Sequence, residues 1–146
     1  NMEWKQDNYL ISDDDAILDI DAICDFLSRA YWADKRPRHI IERSLQHSLN
    51  FGVYDLQNRK KQIGFARVVT DFSVFAYLCD VVIHEDYRER ALGKRLMECI
   101  MTHHELQGLK RWCLLTKDAH GLYKKFGFTE LENPARWMEI FNSDSS

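Results

Sequence analysis

The sequence predicts an α/β (α+β) fold, a central mixed β-sheet flanked by helices, on three observations. Apolar residues recur at helical spacing from Ile17 to Leu49, the period shortens to two from Phe51, and strand-like and helix-like runs then alternate. A length of 146 residues suits one core, placed at 2–141, with the polar tail 142–146 disordered.

The elements follow in order. Tyr9-Leu10-Ile11-Ser12 reads as an edge strand after a short polar start, and Asp13-Asp14-Asp15 offers caps for a helix whose stripe is Ile17, Ile20, Cys24 and Leu27. Pro37 suits the first turn of a second helix with Ile41, Leu45 and Leu49 on one side. Phe51–Leu56 and Ile63–Val69 flank the polar turn 57–61 as a hairpin. The run from Phe75 to Ile83 is the most apolar in the chain and belongs at the centre of the sheet. Leu92, Leu96, Cys99, Ile100 and His103 then keep helical spacing, with Gly108 beyond the helix end. Trp112–Leu115 is the next strand. Asp118 is placed to cap a helix over 119–126 that Gly127 closes, and Phe128–Leu131 and Arg136–Ile140 are expected to be the last two strands.

Composition excludes several classes of function. Lys and Arg number 20 against 23 Asp and Glu, a net charge of -3, so no global positive field attracts nucleic acid and any anion site must be local. No apolar run approaches the roughly 20 residues that span a bilayer, so no membrane partner is expected. Cys24, Cys79, Cys99 and Cys113 are irregularly spaced, with no C-x-x-C pair and no histidines in register, and read as four buried thiols. A cytoplasmic protein without a metal is the expectation.

Chemistry concentrates where the apolar strand ends. Asp80-Val81-Val82-Ile83 leads into the charged turn His84–Ala91 and then the helix start Leu92-Gly93-Lys94-Arg95. A helix N-terminus exposes unpaired N–H groups, small residues admit a phosphate to the backbone, and Arg88, Arg90, Lys94 and Arg95 add positive charge. An anion cradle and a solvated basic turn fit this spacing equally well. Asp80, a carboxylate in an apolar strand, requires a partner or a purpose. Tyr123 lies beside Phe126 and Phe128, as a packed aromatic would.

The segment Asp80–Lys94 resembles the central motif of the GNAT family of N-acetyltransferases, whose loop reads Arg/Gln-x-x-Gly-x-Gly/Ala. Arg88 and Gly93 match its outer positions. Ala91 replaces the first glycine, and Glu89 stands where many members have another. Downstream, Thr116–Phe128 is similar to the family's Asn-x-x-Ala-x-x-x-Tyr-x-x-x-Gly-Phe segment: Ala119, Tyr123, Gly127 and Phe128 align, and Thr116 takes the asparagine position.

The resemblance implies an acyl-CoA N-acyltransferase fold that uses acetyl-CoA as cosubstrate and acetylates a primary amine of a small molecule or peptide by direct attack in a ternary complex. It places the pantetheine arm along Val81, Val82 and Ile83, the pyrophosphate at Arg88, Glu89, Arg90, Ala91, Leu92, Gly93 and Lys94, and further cofactor contacts at Thr116 and Ala119. Tyr123 becomes the acid for the departing thiolate. Asp80 is a candidate base, with binding of the acceptor's ammonium or support of a loop as equal alternatives. A backbone N–H near Val81 or Val82 would stabilise the oxyanion. Trp32, Arg36 and Asp71 are the candidates for acceptor binding, and a homodimer is compatible. The departures at Glu89, Ala91 and Thr116 leave open a second possibility, a CoA-binding sensor without transferase activity.

Overall fold

In the computed structural model, which describes residues 1–30 and 35–142, six strands hydrogen-bond in the order β1 to β6. They are β1 (Glu3–Gln6), β2 (Tyr9–Ser12), β3 (Leu49–Asp55), β4 (Lys61–Thr70), β5 (Phe75–Ile83) and β6 (Arg111–Leu114). The first five pair antiparallel, and β6 joins β5 in parallel, so the sheet is mixed as predicted. Four helices accompany them: α1 (Ile20–Ser28), α2 (Arg38–Gln46), α3 (Leu92–Met101) and α4 (His120–Lys124).

Two cores lie against this sheet. Phe51, Val53, Ile63, Ala66, Val68, Ala76 and Leu78 pack with Leu92, Leu96, Met97 and Ile100 of α3, while Phe65 joins Ile23, Phe26, Leu27, Ile41 and Leu45 of α1 and α2. Each apolar side chain fully buried in this way contributes about 1.5–3 kcal/mol. Asp19 caps α1 by accepting the Ala22 N–H (3.1 Å), and Asp14 caps a short 3-10 turn before it, so the acidic run serves two starts instead of one. Pro37 stands as the N-cap of α2, one position earlier than expected.

Several expectations need correction. Tyr9–Ser12 is not an edge strand, because the polar β1, which carries no apolar alternation to betray it, folds back over it through Asp7 in the left-handed region (φ 55°). In α1 the buried positions are Ile23, Phe26 and Leu27; Ile20 and Cys24 lie at the margin. Among the thiols only Cys99 is fully buried, and all four are unpaired. The helix expected over 119–126 is only His120–Lys124, and its cap residue is Ala119 instead of Asp118. Phe128–Leu131 and Arg136–Ile140 are not strands. Phe128 turns back to pack edge-on against Trp112 and Tyr123, and Pro134–Arg136 forms a 3-10 turn, so neither segment lies along β6.

A buried histidine ties the outer strands to the helical side. His103 Nδ1 accepts the Glu105 N–H (3.1 Å), which leaves the ring proton on Nε2, and Nε2 meets Asp13 Oδ2 at 2.7 Å. The Met2 N–H donates to the other oxygen of Asp13 (2.7 Å).

Candidate active site

The sheet opens at one place. β5 and β6 pair from Phe75/Arg111 to Leu78/Leu114, after which β5 runs on to Ile83 while β6 stops. Beyond Leu78 β5 continues five residues past its pairing with β6, about 16 Å of edge at ~3.3 Å per residue. Opposite them, the register between β4 and β5 slips between Phe65 and Arg67, where Asp80 adopts a left-handed φ of 55° and makes a bulge. The His84 N–H donates to Ile63 O (2.8 Å). Because polar backbone groups alternate along a strand, those of Val82 face β4 and those of Val81 and Ile83 face the gap. Arg88 Nε donating to Ile83 O (3.3 Å) agrees with this.

A cleft of about 510 Å³ adjoins the gap, lined by Phe26, Ala30, Val82, Ile83, Arg88 and Asp118 among others. Its walls are the end of β5 with the loop that follows and the last turn of α1, with Asp118 from the chain that leaves β6. At its mouth the loop 84–91 is held from three directions. Tyr87 OH donates to Asp55 Oδ2 (2.7 Å), Arg90 Nη1 donates to Tyr9 OH (2.8 Å), and the Arg90 guanidinium covers the Tyr87 ring at 5.0 Å. Arg90 is thus engaged in shaping the loop. Tyr9, Asp55 and Tyr87 were not among the candidates read from the sequence. Only the aromatic before Arg88 signalled this brace, because the three lie on separate elements.

Glu89 (φ 66°) and Ala91 (φ 59°) both occupy the left-handed region. Ala91 stands at the first glycine of the motif and Glu89 where many members have a further one, and a left-handed L-residue costs about 1–2 kcal/mol. Ala91 caps α3 without a side-chain hydrogen bond, and the first bond into the helix is Arg95 N–H to Ala91 O (3.1 Å). The N–H groups of Leu92, Gly93 and Lys94 therefore point out of the helix end. A Cβ built on Gly93 would meet nothing within 4 Å. Left-handed residues flanking outward N–H groups and open space at Gly93 form a concavity suited to a diphosphate. The open edge of β5 leads from it as a track for an extended amide-bearing arm, so the residues present fit acetyl-CoA.

On the α2 side of the bulge, Arg36 Nη1 and Arg67 Nε both donate to Asp80 Oδ2, at 2.8 and 2.9 Å, and Arg67 Nη1 also donates to Ser48 Oγ (3.0 Å). The Asp80 side chain is 2% exposed. Burial pushes its pKa up, yet bonds and charge from Arg36 and Arg67 outweigh this and hold the carboxyl below the ordinary carboxylate value. That is the setting of an ion-pair anchor, a poor one for a proton acceptor near neutral pH. Burial raises the adjacent Cys79 thiol to about 11, so it is protonated and inert.

Tyr123 sits on α4, half-buried, its ring edge-on to Phe128 at 6.0 Å. Thr116 Oγ1 accepts the Ala119 N–H (3.0 Å), so both residues shape the turn into α4. Asp71 is remote from these groups. It lies at the β4–β5 turn, where the N–H groups of Val74, Ser73 and Phe75 bond its Oδ1 and depress its pKa. Trp32 lies outside the described residues. Among the described residues no group of three or more His, Cys, Asp or Glu could hold a metal ion, and no helix is long and apolar enough to cross a membrane.

This geometry accords with comparison against known proteins. A family model for the acetyltransferase (GNAT) domain matches residues 48–130, which include the bulge, the gap, the loop and α4. The chain belongs to the GNAT acetyltransferases. A GNAT-assigned acetyltransferase from Xanthomonas campestris pv. campestris is 40% identical, with a TM-score of 0.88 over 94% of this chain and 96% of that one. A protein from Gibberella zeae described as an acetyltransferase is 30% identical over 142 residues, 84% of this chain and 79% of its own length. A GNAT acetyltransferase from Elizabethkingia anophelis, solved with acetyl-CoA bound, shares the fold at 16% identity, with a TM-score of 0.64 over 96% of this chain and 92% of that one. This GNAT protein is accordingly an N-acetyltransferase.

Proposed function

We propose that this GNAT protein transfers the acetyl group of acetyl-CoA to a primary amine of a small molecule or peptide by direct attack within a ternary complex. The single observation that carries the proposal is the gap between β5 and β6, which joins an open strand edge to the outward N–H groups of α3. Acetyl-CoA supplies an activated acyl group whose carbonyl oxygen gains negative charge as the amine attacks.

The chain's residues divide the remaining work. The N–H groups of Arg90 to Lys94 bind the diphosphate with Arg88 at the rim, and the gap-facing groups of Val81 and Ile83 hold the arm. The Val81 N–H, beside the bulge, is placed to receive the developing oxyanion, which in a dry site is worth several kcal/mol. Tyr123 OH donates a proton to the departing thiolate, a transfer that a phenol held close to the sulfur can make. Asp80 fixes Arg36 and Arg67 on the acceptor side, and the proton that the attacking nitrogen loses as the amide forms passes to solvent water instead of to this carboxylate. Arg36 then borders the acceptor through this anchor, while Asp71 belongs to its turn.

Titration calorimetry with acetyl-CoA, followed by a thiol-release assay over a panel of amines, tests this directly. Saturable binding with turnover on some amine is expected. Binding without turnover on any amine would favour the sensor, and no binding at millimolar ligand would remove both readings.

A further inference from the structure

We propose that the acceptor amine carries a single carboxylate, bound jointly by Arg36 and Arg67, and is an amino acid with an apolar side chain. This deepens the function proposed above and rests on it. The basis is a charge imbalance built into the sheet. Both guanidiniums donate to the same oxygen, Asp80 Oδ2, at 2.8 and 2.9 Å, and Arg67 Nη1 also donates to Ser48 Oγ (3.0 Å), which is itself held by donating to Ser44 O (2.7 Å). Nε and Nη2 of Arg36 and Nη2 of Arg67 have no partner among the described residues. The two arginine side chains are 16% and 15% exposed and the carboxylate between them 2%, so two positive charges and one negative share a largely dry corner.

One arginine would suffice to anchor the chain before α2 to the sheet. The second brings an excess charge, which is costly in such a place unless an anion offsets it. That excess is a single unit, and a carboxylate neutralises it. A phosphate dianion would overshoot and be repelled by Asp80, and an uncharged group would leave the excess standing. The planar guanidinium forks also match the two oxygens of a carboxylate. Position supports the same ligand. Asp80 directly precedes Val81, whose N–H is assigned to the oxyanion, and neighbouring Cα atoms lie about 3.8 Å apart. An amine and a carboxylate only a few bonds apart therefore suit the interval. Arg67 pairs with Cys79 across the ladder and Val69 with Tyr77, and cross-strand partners share a face. Val69, 38% exposed, and Tyr77 thus extend the row as an apolar shelf for the side chain of the acceptor.

Two readouts keep this apart from the transferase reading. Saturation-transfer NMR with N-acetylphenylalanine and with its carboxamide, each with and without coenzyme A, reads the subsite with no transfer step; the acid is expected to bind about tenfold or more tighter. In the thiol-release assay, kcat/KM for phenylalanine should exceed that for phenylalaninamide and for phenethylamine by about 10–100-fold, chiefly through KM. Arg36→Gln and Arg67→Gln each leave Asp80 one guanidinium, and in each the ratio of acid to amide should fall toward one, whereas a purely structural role would move both ligands alike and keep the ratio. Equal handling of acid and amide by the wild type overturns the proposal even where transfer occurs. A ratio retained in both variants does so too, as does a higher kcat/KM for aminoethyl phosphate than for phenylalanine. Acid-selective binding without turnover on any amine would strike the transferase reading and uphold the carboxylate subsite.

Discussion

The two walls of the gap are built differently. On the β1–β5 side, hydrogen bonds between distant side chains and backbone brace the structure: Tyr87 to Asp55, Arg90 to Tyr9, His103 to Asp13, and the Asp19 N–H to Gln62, whose amide also donates to Gly64 O. On the β6 side, a four-residue strand and a five-residue helix are joined to each other by ring contacts of Phe128 with Trp112 and Tyr123. The difference teaches that the proposed cofactor cradle is a backbone braced from several elements, while the proposed acid, Tyr123, stands on a wall of shorter ones. A rigid cradle loses little entropy on binding.

Removing the brace at its most buried point has the largest expected effect. Asp80→Ala strands two guanidiniums beside a low-dielectric interior and should cost about 3–5 kcal/mol, read from the urea midpoint; a loss below about 1 kcal/mol would erase the contrast between the walls. The same pair sets an acid limit. Because folding depresses the Asp80 pKa, its stabilisation is present above the unfolded value near 3.8 and fades as pH falls through the lower folded value. Acid unfolding of the wild type should therefore reveal an Asp80-dependent term that Asp80→Asn lacks.

On the looser wall the expected effect is kinetic. Tyr123→Phe should lower kcat by about 10²-fold or more while the acetyl-CoA Kd stays within about twofold, and an unchanged kcat would reject the acid role. Tyr87→Phe removes one hydrogen bond from the loop brace, about 1 kcal/mol, and should weaken acetyl-CoA about fivefold at most with kcat preserved. Glu89→Gly should have the smallest effect and the opposite sign. Relief of a left-handed glutamate is worth about 1 kcal/mol, so the melting temperature should rise slightly and acetyl-CoA should bind modestly tighter. A fall in both would show that Glu89 contributes a contact of its own.

Legibility in the sequence followed the same division. β3, β4, β5 and α3 were readable because their apolar periods match what the cores bury, and the motif of the loop 84–91 because its residues are contiguous. The pairing of Asp80 with Arg36 and Arg67 was not, since 44 and 13 residues separate them and only the fold sets them side by side. β1 escaped because an exposed polar strand carries no apolar alternation. The two strands expected after Gly127 failed for the converse reason. Arg136–Ile140 has strand-like composition, but pairing is a property of two segments, and composition describes only one. Asp71 was a candidate for the acceptor site by its place in the strand region around Arg67, and the three backbone N–H groups that bond its carboxylate were not legible.

The slip at Asp80 also reverses which way β5 presents its side chains. Before it, Ala76 and Leu78 contribute to the α3 core; after it, Val81 and Ile83 do so, and Val82 turns to the α1–α2 core. One inserted position thus lets odd-numbered residues after the bulge hold the face that even-numbered residues hold before it. Deleting residue 80 would restore an unbroken pleat with Val81, Val82 and Ile83 still in their compartments, and would remove only the carboxylate that gathers Arg36 and Arg67.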